Sequence, residues 1–223
     1  MKGKAVTSNN IATPDLVISY LGLRRAVGII GTALPFVLVV GKWLLDGWGI
    51  QSSISGYYYT SMRDVFVGSL CAIGVFLLSY QGYERADNLA GNLACFCVVG
   101  VALFPTTPAT TASATQSLVG QIHLLFASAY FLTLAYFSLV LFRKTNPAKQ
   151  MTGRKKQRNV VYTVCGYTIL VCIGLIVVDT VFLKHSALQT LDPVFWLESA
   201  AVLAFGLSWL TKGEAILADL ATQ

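Results

Sequence analysis

Six long runs of apolar residues, separated by short polar segments, are the feature that most constrains how this chain of 223 residues can fold. A helix needs about 20 residues to cross the hydrocarbon core of a bilayer, with roughly 17 as the lower end. Helices are expected because lipid offers the backbone no hydrogen-bonding partner. The runs cover 26–45, 65–80, 89–104, 118–142, 160–182 and 194–210. The sequence therefore predicts an all-α fold, a polytopic membrane helical bundle with six transmembrane helices.

The composition agrees with a chain that is solvated by lipid. Hydrophobic residues make up 55% of the chain and charged residues 12%, and that charged fraction is about half of what a soluble domain carries. The net charge of +6 is not accompanied by a nucleic-acid-binding motif, so no nucleic-acid partner is predicted. All five cysteines lie in the apolar runs, where we interpret them as packing residues.

The Lys and Arg residues fall mainly on one side of the predicted bundle. Three lie on the other side: Lys42, Arg63 and Lys184. Because Lys and Arg accumulate in cytoplasmic loops, both termini are predicted in the cytoplasm, and the compact loops favour the inner membrane of a bacterium. The thirteen residues on the cytoplasmic side are Lys2, Lys4, Arg24, Arg25, Arg85, Arg143, Lys144, Lys149, Arg154, Lys155, Lys156, Arg158 and Lys212.

The chain divides into three predicted parts. Residues 1–25 form a cytoplasmic segment, in which a short interfacial helix can run from Thr13 to Leu23. Residues 26–212 form the transmembrane domain, and residues 213–223 form a cytoplasmic tail. No signal peptide is predicted, because the basic N-terminus precedes a polar stretch instead of an apolar one.

Several local patterns predict helix ends and loops. Ser61 and Asp64 form an S-x-x-D capping pattern for the second helix, and Asp192 followed by Pro193 can open the sixth. The segment 143–158 is the most basic part of the chain. We interpret it as a determinant of topology, with the binding of anionic lipid head groups as the alternative.

Small residues recur four positions apart in the second and the sixth predicted helices. They are Gly68 with Ala72, and Ala200 with Ala204. Such pairs let two helices approach closely. They predict a compact bundle, and they also allow a homodimer.

Ionisable residues within or at the ends of the predicted helices are the first candidates for function, because a charge in a membrane needs a partner or water. Five of them fall towards the predicted outer side: Arg63, Asp64, His123, Asp179 and Glu198. They predict an outward-facing polar pocket that binds a lipid head group or a small solute, or that responds to protons. For His123 and Glu198 the alternative is a hydrogen-bonded pair that fixes the fourth helix against the sixth.

The first outer loop adds Ser55 and three consecutive tyrosines, Tyr57, Tyr58 and Tyr59. Three neighbouring side chains cannot share one orientation, so at least one is expected to face protein. These residues are predicted to lie at the mouth of the pocket. The alternative is that the tyrosines anchor the loop at the membrane interface.

Two alternatives to a binding pocket remain open, and membrane lipids are the predicted partners in each case. One is an intramembrane hydrolase of a lipid ester or amide. Its nucleophile would be Ser55 or Ser53, acting with His123 and a carboxylate, or it would use zinc bound by donors from the set His123, His185, Asp64, Asp179 and Glu198. No G-x-S-x-G, H-x-x-x-H or H-E-x-x-H spacing supports it, so no cofactor is predicted and zinc stays an alternative. The other is a structural or assembly subunit of the membrane.

Six short motifs are spread over nearly the whole chain: ISGYYYT at 54–60, RDVFVG at 63–68, GY at 82–83, LFP at 103–105, IH at 122–123 and FWLE at 195–198. Together they resemble uncharacterised bacterial six-helix integral membrane proteins that are classed under a domain of unknown function. The resemblance implies six helices and implies no activity. A more distant resemblance is to intramembrane metal hydrolases of the alkaline ceramidase and progestin-receptor type, which use a Ser, an Asp and several His residues, whereas this chain has two histidines.

Overall fold

The structure is a computed structural model that describes residues 20–80, 84–145, 152–183 and 186–218. Within these ranges it contains six long helices and no strand, as the all-α prediction requires. Two short 3₁₀ segments, Ser55–Tyr59 and Ala187–Leu191, lie in the loops. The long helices are α1 (Tyr20–Leu45), α2 (Arg63–Leu78), α3 (Arg85–Leu103), α4 (Ala114–Tyr136), α5 (Gly153–Phe182) and α6 (Pro193–Lys212).

Five of the helices are long and apolar enough to cross a membrane, so the chain has the helices of a multi-pass membrane protein. They are α1, α3, α4, α5 and α6. The span of α4 continues through a π-helical turn over Phe137–Leu141. The sixteen residues of α2 extend only about 24 Å at 1.5 Å per residue, whereas the hydrocarbon core is about 30 Å thick. The prediction of six spans therefore depends on α2 and stays a prediction.

Contacts between distant segments show which helix ends lie together. The Tyr59 hydroxyl donates to the Thr106 carbonyl at 2.6 Å and joins the first and third loops. At the opposite end, Arg25 Nε donates to the Gly213 carbonyl at 2.7 Å and joins the start of α1 to the end of α6. We call the end with loops 46–62, 104–113 and 186–192 the polar-loop end, and the opposite end the basic end.

The described Lys and Arg residues are divided unequally between the two ends. Only Lys42 and Arg63 belong to the polar-loop end. At the basic end, Lys144 forms ion pairs with Asp87 at 2.6 Å and Glu84 at 3.0 Å, and these hydrogen bonds raise the pKa of its ammonium group. The described residues of the basic end are Arg24, Arg25, Arg85, Arg143, Lys144, Arg154, Lys155, Lys156, Arg158 and Lys212.

Helices α1 and α5 start furthest ahead of their apolar runs. The described part of α1 starts at Tyr20, where Arg24 stacks on the Tyr20 ring at 4.0 Å and Arg25 is held by α6. The predicted interfacial helix thus ends inside α1, and its part before Tyr20 lies outside the described residues. Helix α5 begins at Gly153, where the Thr152 hydroxyl accepts from the Lys155 amide at 3.1 Å. Residues 153–158 of the basic segment predicted as a loop are therefore the first turns of α5.

The predicted capping pattern of α2 is wrong, although α2 begins where expected. The residue before the helix is Met62, and no side chain caps it. Ser61 instead donates both its hydroxyl and its amide to the Asp46 carboxylate, and these two hydrogen bonds hold the pKa of Asp46 below its ordinary value. Asp192 does precede α6 with Pro193 at its first position, but its φ is 48° and its side chain makes no capping hydrogen bond.

Consecutive helices are neighbours, and α1 also packs along α6, so the bundle closes on itself. The closest approach of α1 and α6 is made by glycines: a Cβ on Gly28 would lie 2.7 Å from the Leu210 nitrogen and 2.9 Å from the Gly206 carbonyl. Of the small residues predicted to pack helices, Ala204 is buried, whereas Gly68 has no described atom near the position of a Cβ. Gly68 therefore faces away from the bundle.

We expect Gly28→Ala to lower the free energy of unfolding by about 1–3 kcal/mol, because the added methyl group meets backbone atoms that cannot move aside. The measurement is thermal unfolding of the purified protein in detergent. Gly68→Ala is the matched control, since nothing lies within 4 Å of its Cβ position. Equal melting temperatures for the two variants would contradict the close approach of α1 and α6.

Candidate functional site

The polar residues singled out from the sequence all lie towards the polar-loop end. Ser55 and the three tyrosines form its first 3₁₀ segment, and Arg63 and Asp64 begin α2. His123 lies in the third turn of α4, Asp179 near the end of α5 and Glu198 in the second turn of α6. The structure gives most of them separate partners, and each partner belongs to a loop or a helix end.

Glu198 fastens the first loop to α6. Its carboxylate accepts a hydrogen bond of 2.6 Å from the Ile54 amide, and the Ser55 amide also interacts with it. Both amides belong to the start of the 3₁₀ segment, where the N–H groups lack partners inside the helix. The loop that carries the tyrosines is therefore held at its first residues by one side chain of α6.

His123 fastens the end of α3 to α4. Its Nδ1 lies 2.7 Å from the carbonyl oxygen of Phe104, the residue that ends α3. A carbonyl only accepts, so Nδ1 carries the proton and donates. The side chain is 4% exposed. His123 and Glu198 therefore hold two different segments, and the alternative of a hydrogen-bonded pair between them is not what the structure contains.

Two of the other polar side chains also form hydrogen bonds with loop residues. Gln189 donates from Nε2 to the buried Asp179 carboxylate at 2.9 Å, which ties the second 3₁₀ segment to α5. Arg63 donates to the Tyr58 hydroxyl at 2.7 Å and stacks on that ring. Asp64 is exposed.

The three tyrosines point to three environments, as their sequence predicts. Tyr57 is buried with its ring centroid 6.3 Å from that of Phe195, and burial raises the pKa of its phenol. Tyr58 lies under Arg63. Tyr59 is 46% exposed and reaches the third loop through Thr106. Of the three, Tyr57 is the one that faces protein.

A small cavity of about 40 Å³ at this end of the bundle has Ser55 and Glu198 in its wall, and two larger cavities flank it. A polar cleft of about 320 Å³ lies between the first and third loops, with Ser53, Tyr59 and Thr106 in its wall. An apolar groove of about 470 Å³ lies between α1 and α6, and we call it the α1/α6 groove. Its wall includes Phe36, Val39, Val40, Trp43, Trp196 and Leu203.

The α1/α6 groove opens to the side of the bundle and not to the loops alone. Phe36 is 60% exposed and Trp196 is 59% exposed, so the face around the groove meets lipid in a membrane. Pro35, also in the wall, has no N–H and therefore leaves a carbonyl of α1 without its helical partner. The Ser199 hydroxyl is buried in the same wall and has no hydrogen-bond partner among the described residues.

The end of the groove near the loops carries aromatic and basic groups. Trp43 and Trp48 stack with ring centroids 4.2 Å apart, and Trp43 Nε1 donates to the Gly49 carbonyl at 3.0 Å. Lys42, the residue before Trp43, lies outside the groove wall, is buried and donates to the Gly47 carbonyl at 3.2 Å. Tryptophan and lysine are the residues that lie at the level of lipid head groups. The groove therefore runs from the apolar part of the bundle to an interfacial surface.

The sequence did not reveal this groove. None of the predicted site residues lines the groove wall. One signal was present, since Pro35 interrupts the apolar pattern of α1. A groove depends on the distance between two helices that are far apart in the chain, and periodicity does not encode that distance.

A catalytic arrangement of the predicted hydrolase residues is not formed in the described part of the chain. The Ser53 hydroxyl accepts from the Gly56 amide at 2.9 Å, and the His123 Nδ1 is directed at Phe104. Among the described residues, no three His, Cys, Asp or Glu side chains are grouped so that they could bind a metal ion. His185 lies outside those residues.

We expect Glu198→Ala to release the first loop, because the Ile54 amide loses an acceptor worth about 2 kcal/mol. Hydrogen–deuterium exchange in lipid nanodiscs should show faster exchange over 51–59. Asp64→Ala is the control, since it removes an exposed carboxylate at the same end. Unchanged exchange in the Glu198 variant would show that the loop is held by other contacts.

Comparison of the chain with protein-family models, with curated proteins and with solved structures found no match. The resemblance to six-helix membrane proteins that the short motifs indicate therefore stays a prediction. The function proposed below depends on the geometry and the chemistry of the chain itself.

Proposed function

We propose that this chain is a six-span protein of the cell membrane that binds a membrane lipid at its outer half. An acyl chain occupies the α1/α6 groove, and the head group lies beside Lys42 and the stacked tryptophans. Both termini are cytoplasmic in this proposal. The nearby polar residues hold the loops that form the head-group surface.

The α1/α6 groove is the observation that supports lipid binding. Its wall is almost entirely hydrocarbon, so water in it gains few hydrogen bonds and is readily displaced by an acyl chain. Because the groove opens sideways, its surroundings in a bilayer are acyl chains rather than soluble molecules. The interfacial residues Trp43, Trp48 and Lys42 lie at the level where the head group of such a lipid would be.

The unequal charge of the two ends supports the orientation. Two described Lys and Arg residues belong to the polar-loop end and ten to the basic end, and Lys and Arg accumulate on the cytoplasmic side of membranes. We therefore propose that the polar-loop end faces outwards. Because α2 runs from the polar-loop end towards the basic end, the same proposal makes it a sixth span.

We expect photoactivatable phosphatidylcholine with a diazirine in its acyl chain to label the walls of the α1/α6 groove. The adducts should map to 34–43 of α1 and 195–203 of α6, and Ala200→Phe should reduce them at least threefold by filling the groove. Val171→Phe is the control, because Val171 is 58% exposed on α5. Adducts of equal yield on the exposed face of α5 would contradict a defined lipid site.

The proposed orientation has its own test in intact cells. We expect a membrane-impermeant maleimide to label Thr110→Cys and to leave Thr145→Cys unlabelled until the membrane is opened. The parent chain is the control, because its described cysteines all lie within helices. Labelling in the reverse order would contradict the orientation without affecting the evidence for the groove.

A further inference from the structure

Four basic side chains from three helices converge at the basic end, and the proposed lipid groove does not involve them. Arg24 comes from α1, Lys155 and Arg158 from α5, and Lys212 from α6. The charges of Arg24, Lys155 and Arg158 all act on the Lys212 ammonium. We call these four residues the basic cluster.

A layer of aromatic rings lies beneath the basic cluster and fixes its position. Lys212 Nζ lies 5.3 Å from the Phe142 ring centroid, and Lys155 Nζ lies 5.8 Å from that of Tyr162. The two rings are 5.4 Å apart, and Trp209 packs on Phe142 at 5.2 Å. The two ammonium groups therefore share one aromatic surface although they come from different helices.

Arg24 brings the third cation to the same layer. Its guanidinium carbon lies 5.7 Å from the Tyr80 ring centroid, and Tyr80 packs on Trp209 at 5.6 Å. Arg24 Nε is buried and has no hydrogen-bond partner among the described residues. A buried donor without an acceptor is costly, so an oxygen acceptor placed against this N–H would stabilise the protein.

Two carboxylates act on the basic cluster within the described residues. Glu214 accepts an ion pair from Arg158 at 3.2 Å. Asp87, whose charge acts on Lys212, is itself bound to Lys144 at 2.6 Å. Bringing four like charges together raises their mutual repulsion, and a bound anion lowers it.

We propose that the basic cluster is a binding site for a phosphate group. Arginine offers a planar fork of donors and lysine offers point charges, and both suit phosphate oxygens. The phosphate can belong to the head group of an anionic lipid at the membrane surface or to a free inorganic phosphate. Both sources present the same tetrahedral, negatively charged group to Arg24, Lys155, Arg158 and Lys212.

The experiment measures binding to the full-length protein by native mass spectrometry, with two probes used separately. One probe is phosphatidylglycerol, compared with phosphatidylcholine of the same acyl chains, and the other is inorganic pyrophosphate in detergent. We expect Lys212→Gln to weaken binding about tenfold, the effect of one charge-assisted hydrogen bond. Lys212→Arg should retain most of the affinity, because it keeps the charge.

Lys156→Gln is the matched control, since it removes the same charge from an exposed position next to Lys155. Arg24→Gln gives a second variant on another helix, should Lys212→Gln fail to fold. Binding of phosphatidylglycerol without pyrophosphate would identify the source as a lipid head group, and binding of pyrophosphate would identify a free phosphate. Equal losses in the Lys156 and Lys212 variants, or no binding of either probe, would overturn the proposal.

Discussion

The close contact between α1 and α6 is the constraint on which the rest of the structure depends. Gly28 lets the backbones of the first and the last described helix approach within van der Waals distance, and this contact closes a ring in which each helix packs on the next. It also sets the spacing between these helices at both ends. The α1/α6 groove lies beside the contact on the polar-loop side, and the basic cluster brings Arg24 of α1 to Lys212 of α6 on the other.

The polar side chains of this bundle mainly form hydrogen bonds that hold loops and helix ends in place. A buried charge or donor in an apolar surrounding needs a partner, and Glu198, His123 and Asp179 each find it in a loop or a helix end. These contacts give the loops a fixed conformation without disulfides. A binding site that uses those loops is therefore organised before its ligand arrives.

Much of the fold follows from the sequence, because hydrophobic runs of spanning length permit few structures. The positions of helices and the concentration of Lys and Arg at one end were predictable in this way. The partners of the polar residues were not: Ser61 looked like a helix cap and instead binds Asp46, while His123 and Glu198 bind different segments. Their partners are set by helix spacing and rotation, which a single sequence does not specify. The predicted polar pocket stays a hypothesis, and the apolar groove escaped prediction for the same reason.

The unequal lengths of α2 and α5 have a consequence for the bilayer around the protein. Helix α2 has 16 residues and α5 has 30, and in the order of packing they lie on opposite sides of the ring of helices. A bilayer adjusts to a short hydrophobic segment by thinning and to a long one by thickening or by tilt of the helix. The protein would therefore be surrounded by an annulus of uneven thickness, with shorter or more disordered lipids enriched beside α2. The protein would therefore favour regions of the membrane where lipids of different length are available on its two sides.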